Sequence, residues 1–336
     1  MPKYLSLCLI GAGRIAKVHI RSIAALGGAE ITAVVDPANE AGERVAASIG
    51  ARWYSDFEQA CAAQVFDGAI IAAPTGLHAS LIEACVRRGL PVFCEKPVDQ
   101  TLERVDACLE VVEASGVPVL MAFHRRFDAA RREVHDIVRS GTLGKIEHVL
   151  QISRDPRLPD ESFIAHSGGM VKDMLIHDLD ELTWLCGTGG VFVHADLRRF
   201  VDPPLLAKYE DFDTAAITVV FDDGPQCQLS ASRRSAYGFD QRLEVFGANG
   251  MVTCPNVHTS TIISAAREGF CGAPLLDHFP QRYEAAYAAE MRNFLDVLND
   301  TAKPHCTVRD ARAALVLAEL VIKSARTGKR VRADRL

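Results

Sequence analysis

The chain has 336 residues and lacks any apolar run close to the ~20 residues that a membrane span requires. It also lacks a Cys-x-x-Cys pair: ten cysteines are present, but none has the spacing of a zinc ribbon or a thioredoxin-like redox motif. Cys8, Cys85, Cys94 and Cys108 fall instead in apolar strand or helix positions, where a free thiol behaves as a small hydrophobe. A reducing, cytoplasmic compartment is the expectation. No block of basic residues occurs. The net charge is −6, and Arg87-Arg88, Arg125-Arg126, Arg131-Arg132, Arg198-Arg199 and Arg233-Arg234 are scattered along the chain. This argues against nucleic acid as the main partner, and the pairs read mostly as solvated faces, with a few exceptions near a site. The early stretch Leu5–Ile10 runs into glycines rather than a cleavage site, so no signal peptide is expected.

What is present is a globular composition, 49% hydrophobic and 24% charged, in a chain long enough for two cores. Residues 5 to about 123 alternate apolar strands with helical patterns, which predicts a parallel, doubly wound sheet. The pattern changes after about residue 145. Val193–Arg199, Thr214–Phe221, Gln226–Arg233 and Arg242–Phe246 read as strands with no helices between them, so they should pair antiparallel. Ala215, Ile217, Val219 and Phe221 make one apolar face, while Gln226, Gln228, Ser230 and Ser232 make a small polar one. A sheet covered on one side and mild on the other suits a polar pocket or a second subunit. Two long helices, roughly 281–299 and 308–327, close the chain, and the last is expected to pack back near the first domain.

The N-terminus carries a specific signal. A strand-like run, Leu5–Ile10, breaks into Gly11-Ala12-Gly13-Arg14-Ile15-Ala16 and then a helical pattern. In such a G-x-G-x-x-A loop Gly11 allows the tight turn, Gly13 lets a pyrophosphate approach the backbone, and Ala16 lets the helix pack closely. The phosphates meet a helix N-terminus, whose free N–H groups favour anions. The next strand ends on Asp36, about where the adenosine ribose is hydrogen-bonded. A carboxylate there repels a 2′-phosphate, and Pro37-Ala38-Asn39 supply no cation to offset it, so NAD is favoured over NADP.

Lys96 stands in Glu95-Lys96-Pro97, directly after the apolar run Val92-Phe93-Cys94. Pro97 pushes Lys96 towards extended geometry, and a charge held at the carboxyl end of an inner strand usually faces the ligand crevice. The plainer reading is a lysine that snorkels to solvent. A second constellation is Asp173-Met174-Leu175-Ile176-His177-Asp178, read as opening a helix that runs to Cys186. Asp173 and His177 are four apart and share a face, so a carboxylate can orient an imidazole acting as a general base. Gly168-Gly169 upstream reads as a flexible approach. An exposed ion pair is the bland alternative; a metal site built from Asp173, His177 and Glu181 is a sharper rival without a matching second cluster, and no metal is expected.

Together these features resemble the glucose–fructose oxidoreductase/inositol dehydrogenase (Gfo/Idh/MocA) family over nearly the whole chain. The resemblance implies an α/β plus α+β fold: a Rossmann domain over 1–123, binding NAD, and a substrate-binding and oligomerisation domain over 124–336 with an open-faced, mostly antiparallel sheet. It implies Lys96, Asp173 and His177 as catalytic residues. The implied cofactor set is Gly11, Gly13, Arg14, Ile15, Asp36, Ala73, Thr75, His78, Glu95 and Lys96. A homodimer or homotetramer is implied as well. Arg125-Arg126-Phe127-Asp128, Ser153-Arg154-Asp155-Pro156, Ser167-Gly168-Gly169-Met170, Tyr237-Gly238-Phe239-Asp240-Gln241 and Arg282-Tyr283-Glu284-Ala285-Ala286-Tyr287 look like inositol 2-dehydrogenases in particular. By that resemblance Arg126, Asp155, Tyr237 and Tyr283 become candidates for a polyol pocket, with Lys96, Asp173 and His177. Each has a second reading: an ion pair for Arg126, a turn for Asp155, core for the tyrosines. His124 departs from the residues more often seen there and is a further candidate. Thr75-Gly76-Leu77-His78 is a generic sugar-dehydrogenase loop, which keeps aldose oxidation open as an alternative. A metal-assisted enzyme and a non-catalytic NAD-binding sensor are the readings of other classes.

Overall fold

A computed structural model describes residues 4–336 of the protein. They form two compact units, one of residues up to Asp128 together with Ala285–Arg312, the other of Ala129–Glu284 with Ala313–Leu336.

The first unit begins with β1 (Leu5–Ile10), α1 (Ala16–Leu26), β2 (Ala29–Val35), α2 (Asn39–Ile49), β3 (Arg52–Tyr54) and α3 (Phe57–Ala63). It continues with β4 (Gly68–Ile71), α4 (His78–Val86), β5 (Val92–Glu95), α5 (Leu102–Ser115) and β6 (Val119–Ala122). All six strands pair parallel in the order β3-β2-β1-β4-β5-β6. Every residue of β4, β5 and β6 is buried, as expected of a parallel sheet covered on both faces. Helix ends follow local chemistry. Asp56 caps α3 by accepting from the Gln59 N–H, and Thr101 caps α5 by accepting from Arg104. The strand order reverses between β1 and β4, the place where ligands bind outside the carboxyl ends of such a sheet.

The second unit holds α6 (Ala129–Arg139), β7 (Ile146–Arg154), α7 (Glu161–Ile164), α8 (Gly169–Asp173), α9 (Ile176–Cys186) and β8 (Val191–Arg198). Then come α10 (Pro203–Lys208), β9 (Thr214–Phe221), β10 (Gln226–Ser232), β11 (Asp240–Gly247), β12 (Gly250–Cys254), the hairpin β13 (Ile263–Ala266) and β14 (Gly269–Gly272), and α11 (Phe279–Arg282). Helices α12 (Glu284–Leu298) and α13 (Val308–Thr327) precede a last strand, β15 (Val331–Ala333). The second sheet has seven strands, ordered β12-β11-β7-β10-β9-β8-β15. Strand β7 was not foreseen. It lies inside the sheet and pairs parallel with β10, so the sheet is mixed, though mostly antiparallel. Its partners come more than seventy residues later, beyond the reach of any local turn signal. The alternation in β9 and β10 is as read: Ala215, Ile217, Val219 and Phe221 are buried, while Gln226, Gln228 and Ser230 are exposed.

The closing helices differ from expectation. Helix α12 joins the first unit almost whole: a Cβ added at Gly68 of β4 would sit 3.0 Å from Leu298 and Phe294, and Phe294 packs 5.8 Å from Phe93. Only the first turn of α13 goes with it, where Arg309 pairs with Glu113 and Arg312 Nε lies 2.5 Å from Asp106. The remainder of α13 belongs to the second unit, where the Ser324 hydroxyl accepts from the Ala195 N–H at 3.0 Å.

Candidate active site

The carboxyl edge of the first sheet collects the residues read as cofactor-binding. Gly11 has φ +101°, and a Cβ there would lie 2.5 Å from the Ala72 carbonyl oxygen at the end of β4. Only glycine makes that turn while touching the neighbouring strand. Gly13 is different: nothing lies within 4 Å of an added Cβ, leaving its backbone open to a ligand. Helix α1 has no side-chain cap and no acidic residue in its first turn, so its leading N–H groups remain for an anion. Asp36 follows β2. Its Oδ2 accepts from the Ala12 N–H and its Oδ1 from Ala38, both at 2.8 Å. It therefore fixes the glycine loop, and carboxylate lone pairs remain for ribose hydroxyls. These features fit a dinucleotide. Thr75 and Ala73 follow β4 on the same edge. His78 does not project from it: the ring is buried, with nitrogens 2.7 Å from the Pro97 and Ala73 carbonyl oxygens. It acts as a strut that ties the loop after β4 to the Glu-Lys-Pro turn.

Lys96 follows β5, half-buried, ahead of a cis peptide bond to Pro97. Glu95 turns the other way. Its Oε1 lies 2.7 Å from Nε2 of His19, a fully buried ring on α1. The edge of His19 meets Phe93 at 4.9 Å and Tyr287 of α12 at 6.2 Å. One turn beyond Tyr287, Glu290 is fully buried, and neither of its oxygens finds a hydrogen-bond partner among the described residues. Burial, and after it the nearby charge of Glu95, pushes the Glu290 carboxyl well above the usual range. His124, after β6, is buried with its ring 4.9 Å from Tyr287. Cys94 is sealed in the same strand as Glu95, and burial holds its thiol well above its ordinary value.

In the second unit Asp173 and His177 sit as neighbours of a break rather than on one continuous helix. Asp173 ends α8 and His177 is the second residue of α9; Met174 and Leu175 between them keep helical dihedrals, and both their N–H groups donate to the Met170 carbonyl. The Gly168-Gly169 pair is not a flexible approach. Gly169 has φ +84°, and a Cβ there would meet Asp211 Oδ1 at 2.8 Å, the oxygen that accepts from the Met170 N–H at 2.6 Å. Asp211 Oδ2 in turn accepts from Arg233 Nη1 at 2.6 Å, and Arg233 Nη2 lies 3.7 Å from Asp173 Oδ2. Asp211 and Arg233 were missed by the sequence reading, although a signal existed: Arg233 continues the buried register Cys227, Leu229, Ala231 of β10. Reading it as part of a solvated pair was wrong, because it is 0% exposed; Arg125, Arg126 and Arg131 are buried too. Glu181, the third member of the possible metal stripe, is held by Arg131 at 3.2 Å and by Gln151 at 2.8 Å.

The remaining pocket candidates divide. Arg126 is buried and bound to Asp310 Oδ1 at 3.2 Å and to the His305 carbonyl, so it anchors the turn after β6 to the start of α13. Tyr283 is 1% exposed and packs edge-on to Phe239, as a core residue does. Tyr237 is 52% exposed; its hydroxyl donates to Asp240 and accepts from Arg154, both at 2.6 Å. Burial would raise Asp240, but hydrogen bonds from Arg242, Tyr237 and Asn256 outweigh it and hold the carboxyl below its usual value. Asp155 is half-buried just past β7, its N–H donating to the Ser232 carbonyl.

Residues 5–123 match the family described as "Oxidoreductase family, NAD-binding Rossmann fold", and residues 131–253 match the "GFO/IDH/MocA C-terminal domain". An inositol 2-dehydrogenase of Rhizobium meliloti is 37% identical over 94% of this chain and 95% of its own length. The chain belongs to the Gfo/Idh/MocA family. Among its solved members, a myo-inositol dehydrogenase from Corynebacterium glutamicum superposes with a TM-score of 0.92 at 35% identity, covering 98% of each chain. A scyllo-inositol dehydrogenase from Lactobacillus casei, solved with NAD(H) and scyllo-inositol, gives a TM-score of 0.91 at 25% identity over 98% of this chain and 99% of that one. As a Gfo/Idh/MocA protein with an intact glycine loop, the chain carries an NAD-binding Rossmann unit, and its first sheet has the strand order that such a unit requires.

Proposed function

We propose that this enzyme oxidises a ring hydroxyl of an inositol to the keto-inositol with NAD as the acceptor. The observation that carries the reading is the 37% identity to an inositol 2-dehydrogenase along almost the whole chain, with Lys96, Asp173 and His177 all present. NAD, held through Gly11, Gly13 and Asp36, supplies the hydride acceptor. His177 takes the hydroxyl proton as a general base, and Asp173 orients its ring. Lys96 places a positive charge where alkoxide character develops. A protonated imidazole cannot serve as base, so oxidation weakens as the pH falls. A sensor has no need of such a set.

Asp155, Tyr237 and His124 are the residues we assign to the other ring hydroxyls, since an unmatched buried polar group costs ~1–3 kcal/mol. Arg126 and Tyr283 serve packing instead. With His78 an internal strut, its loop no longer favours an aldose. The reading includes a homodimer or homotetramer formed through the exposed face of Gln226, Gln228 and Ser230. It places the enzyme in the cytoplasm, where ten free cysteines stay reduced, and gives it no nucleic-acid partner at a net charge of −6. The test follows NAD reduction with myo-, scyllo- and chiro-inositol beside glucose and galactose. Turnover of at least one inositol above both aldoses is expected; efficient aldose oxidation with no inositol turnover would sink the proposal.

A further inference from the structure

Arg233 carries a charge in a strand register otherwise filled by Cys227, Leu229 and Ala231, and it is 0% exposed. A guanidinium is retained in such a place only when carboxylates compensate it. Asp211 alone could do so by a bidentate fork, the usual geometry of a buried arginine–carboxylate pair. The fork is not closed that way. Nη1 lies 2.6 Å from Asp211 Oδ2, while Nη2 is buried without a hydrogen bond, and a carboxylate oxygen of Asp173 stands 3.7 Å away. Asp211 passes the restraint on, since its other oxygen accepts from the Met170 N–H at 2.6 Å in the notch left by Gly169. One guanidinium thus addresses both ends of α8, the first turn through Asp211 and the last residue through Asp173.

We propose that Arg233, braced by Asp211, is a positioning residue that sets the carboxylate of Asp173 for its work on His177. The inference rests on the assignment of Asp173 and His177 to proton transfer. Arg233 is 0% exposed, so it acts through the carboxylates it faces. Its effect runs through α8, so it should act on turnover and leave nucleotide binding alone.

The experiment is a double-mutant cycle on the full-length enzyme, with Arg233→Lys, Asp173→Asn and the pair together. Turnover of the best inositol, KM for NAD and the melting temperature are read for each. Lysine can keep Asp211 paired but cannot reach both carboxylates. Arg233→Lys should therefore lower kcat about 10- to 100-fold, as small misplacements near a reacting group do, with KM for NAD unchanged. The double variant should be no slower than Asp173→Asn alone, the signature of two residues acting on one path. Wild-type turnover in Arg233→Lys, or independent losses that multiply in the double variant, overturns the proposal. If Arg233→Lys does not fold, Asp211→Asn takes its place in the same cycle, where the same loss of turnover supports the proposal and the same two results overturn it. Full activity in Asp173→Asn would instead strike the underlying assignment, which keeps the two failures apart.

Discussion

The two units assemble their chemistry in opposite ways. In the first, successive strands end on one edge, and the residues that follow them (Gly11 after β1, Asp36 after β2, Ala73 after β4, Lys96 after β5) arrive there because a parallel sheet points every strand the same way. In the second, Asp173 lies 3.7 Å from Arg233, which pairs with Asp211; these residues stand 60 and 38 positions further along the chain. A site built by topology can be recognised from short motifs. A site built by long-range ion pairing cannot, because no local pattern says which buried carboxylate meets which guanidinium.

The contrast can be broken most forcefully at the residues proposed for proton transfer and charge stabilisation. His177→Ala and Lys96→Ala should each cut inositol turnover by ~10²–10⁴-fold, the usual consequence of losing a general acid–base group, with NAD affinity little changed. Steady-state kinetics and a fluorescence titration with NADH check this; full activity in either variant would falsify its role.

A smaller effect separates the two glycines of the loop. Gly11→Ala meets both a positive φ and the Ala72 carbonyl, so it should destabilise the fold by about 1–3 kcal/mol and weaken NAD binding with it. Gly13→Ala meets nothing and should leave the melting temperature in place while raising the dissociation constant for NAD. Calorimetry with titration distinguishes them. Unchanged NAD affinity in Gly13→Ala would remove the pyrophosphate from that position.

The smallest effect expected is at Glu290. Its carboxyl is raised in the folded state, by burial first and then by Glu95, so between the ordinary carboxylate range and that raised value the folded chain holds a proton the unfolded chain has released. Stability linked to this group is therefore complete at acid pH and lost as the pH rises. Glu290→Gln should melt a few degrees higher than the wild type at mildly alkaline pH, with the gap closing near pH 4. A constant gap across that range would show that Glu290 does not hold its proton in the fold.

These tests bear on how legible the molecule was. The glycine loop, Asp36 and Lys96 were readable because each sits within a few residues of the strand that presents it. The buried cysteines were readable for the same reason: Cys8, Cys85, Cys94 and Cys108 are all 0% exposed, and no disulfide joins any of the ten. Strand β7 was not, since its parallel partner β10 is far away in sequence. The break between α8 and α9 was not legible either, because Met174 and Leu175 are good helix formers and keep helical dihedrals; the break shows only in their two N–H groups sharing the Met170 carbonyl. Arg126 shows the reverse case: its neighbours look like a substrate motif, while Asp310, 184 positions on, pairs with its Nη1.

By itself, then, the sequence determined the alternation of strands and helices, the parallel character of the first sheet, the nucleotide loop and the candidate residues for proton transfer. Each of these follows from backbone geometry and hydrophobic periodicity over spans of a few turns. Tertiary structure alone decided which charges are buried and which carboxylate meets which guanidinium. The cost of burying an ion depends on partners that only folding brings within a few ångströms. That is why His78 became a strut, why the buried carboxyl of Glu290 is pushed upward beside Glu95, and why Arg233, read in the chain as part of a solvated pair, lies within 3.7 Å of Asp173.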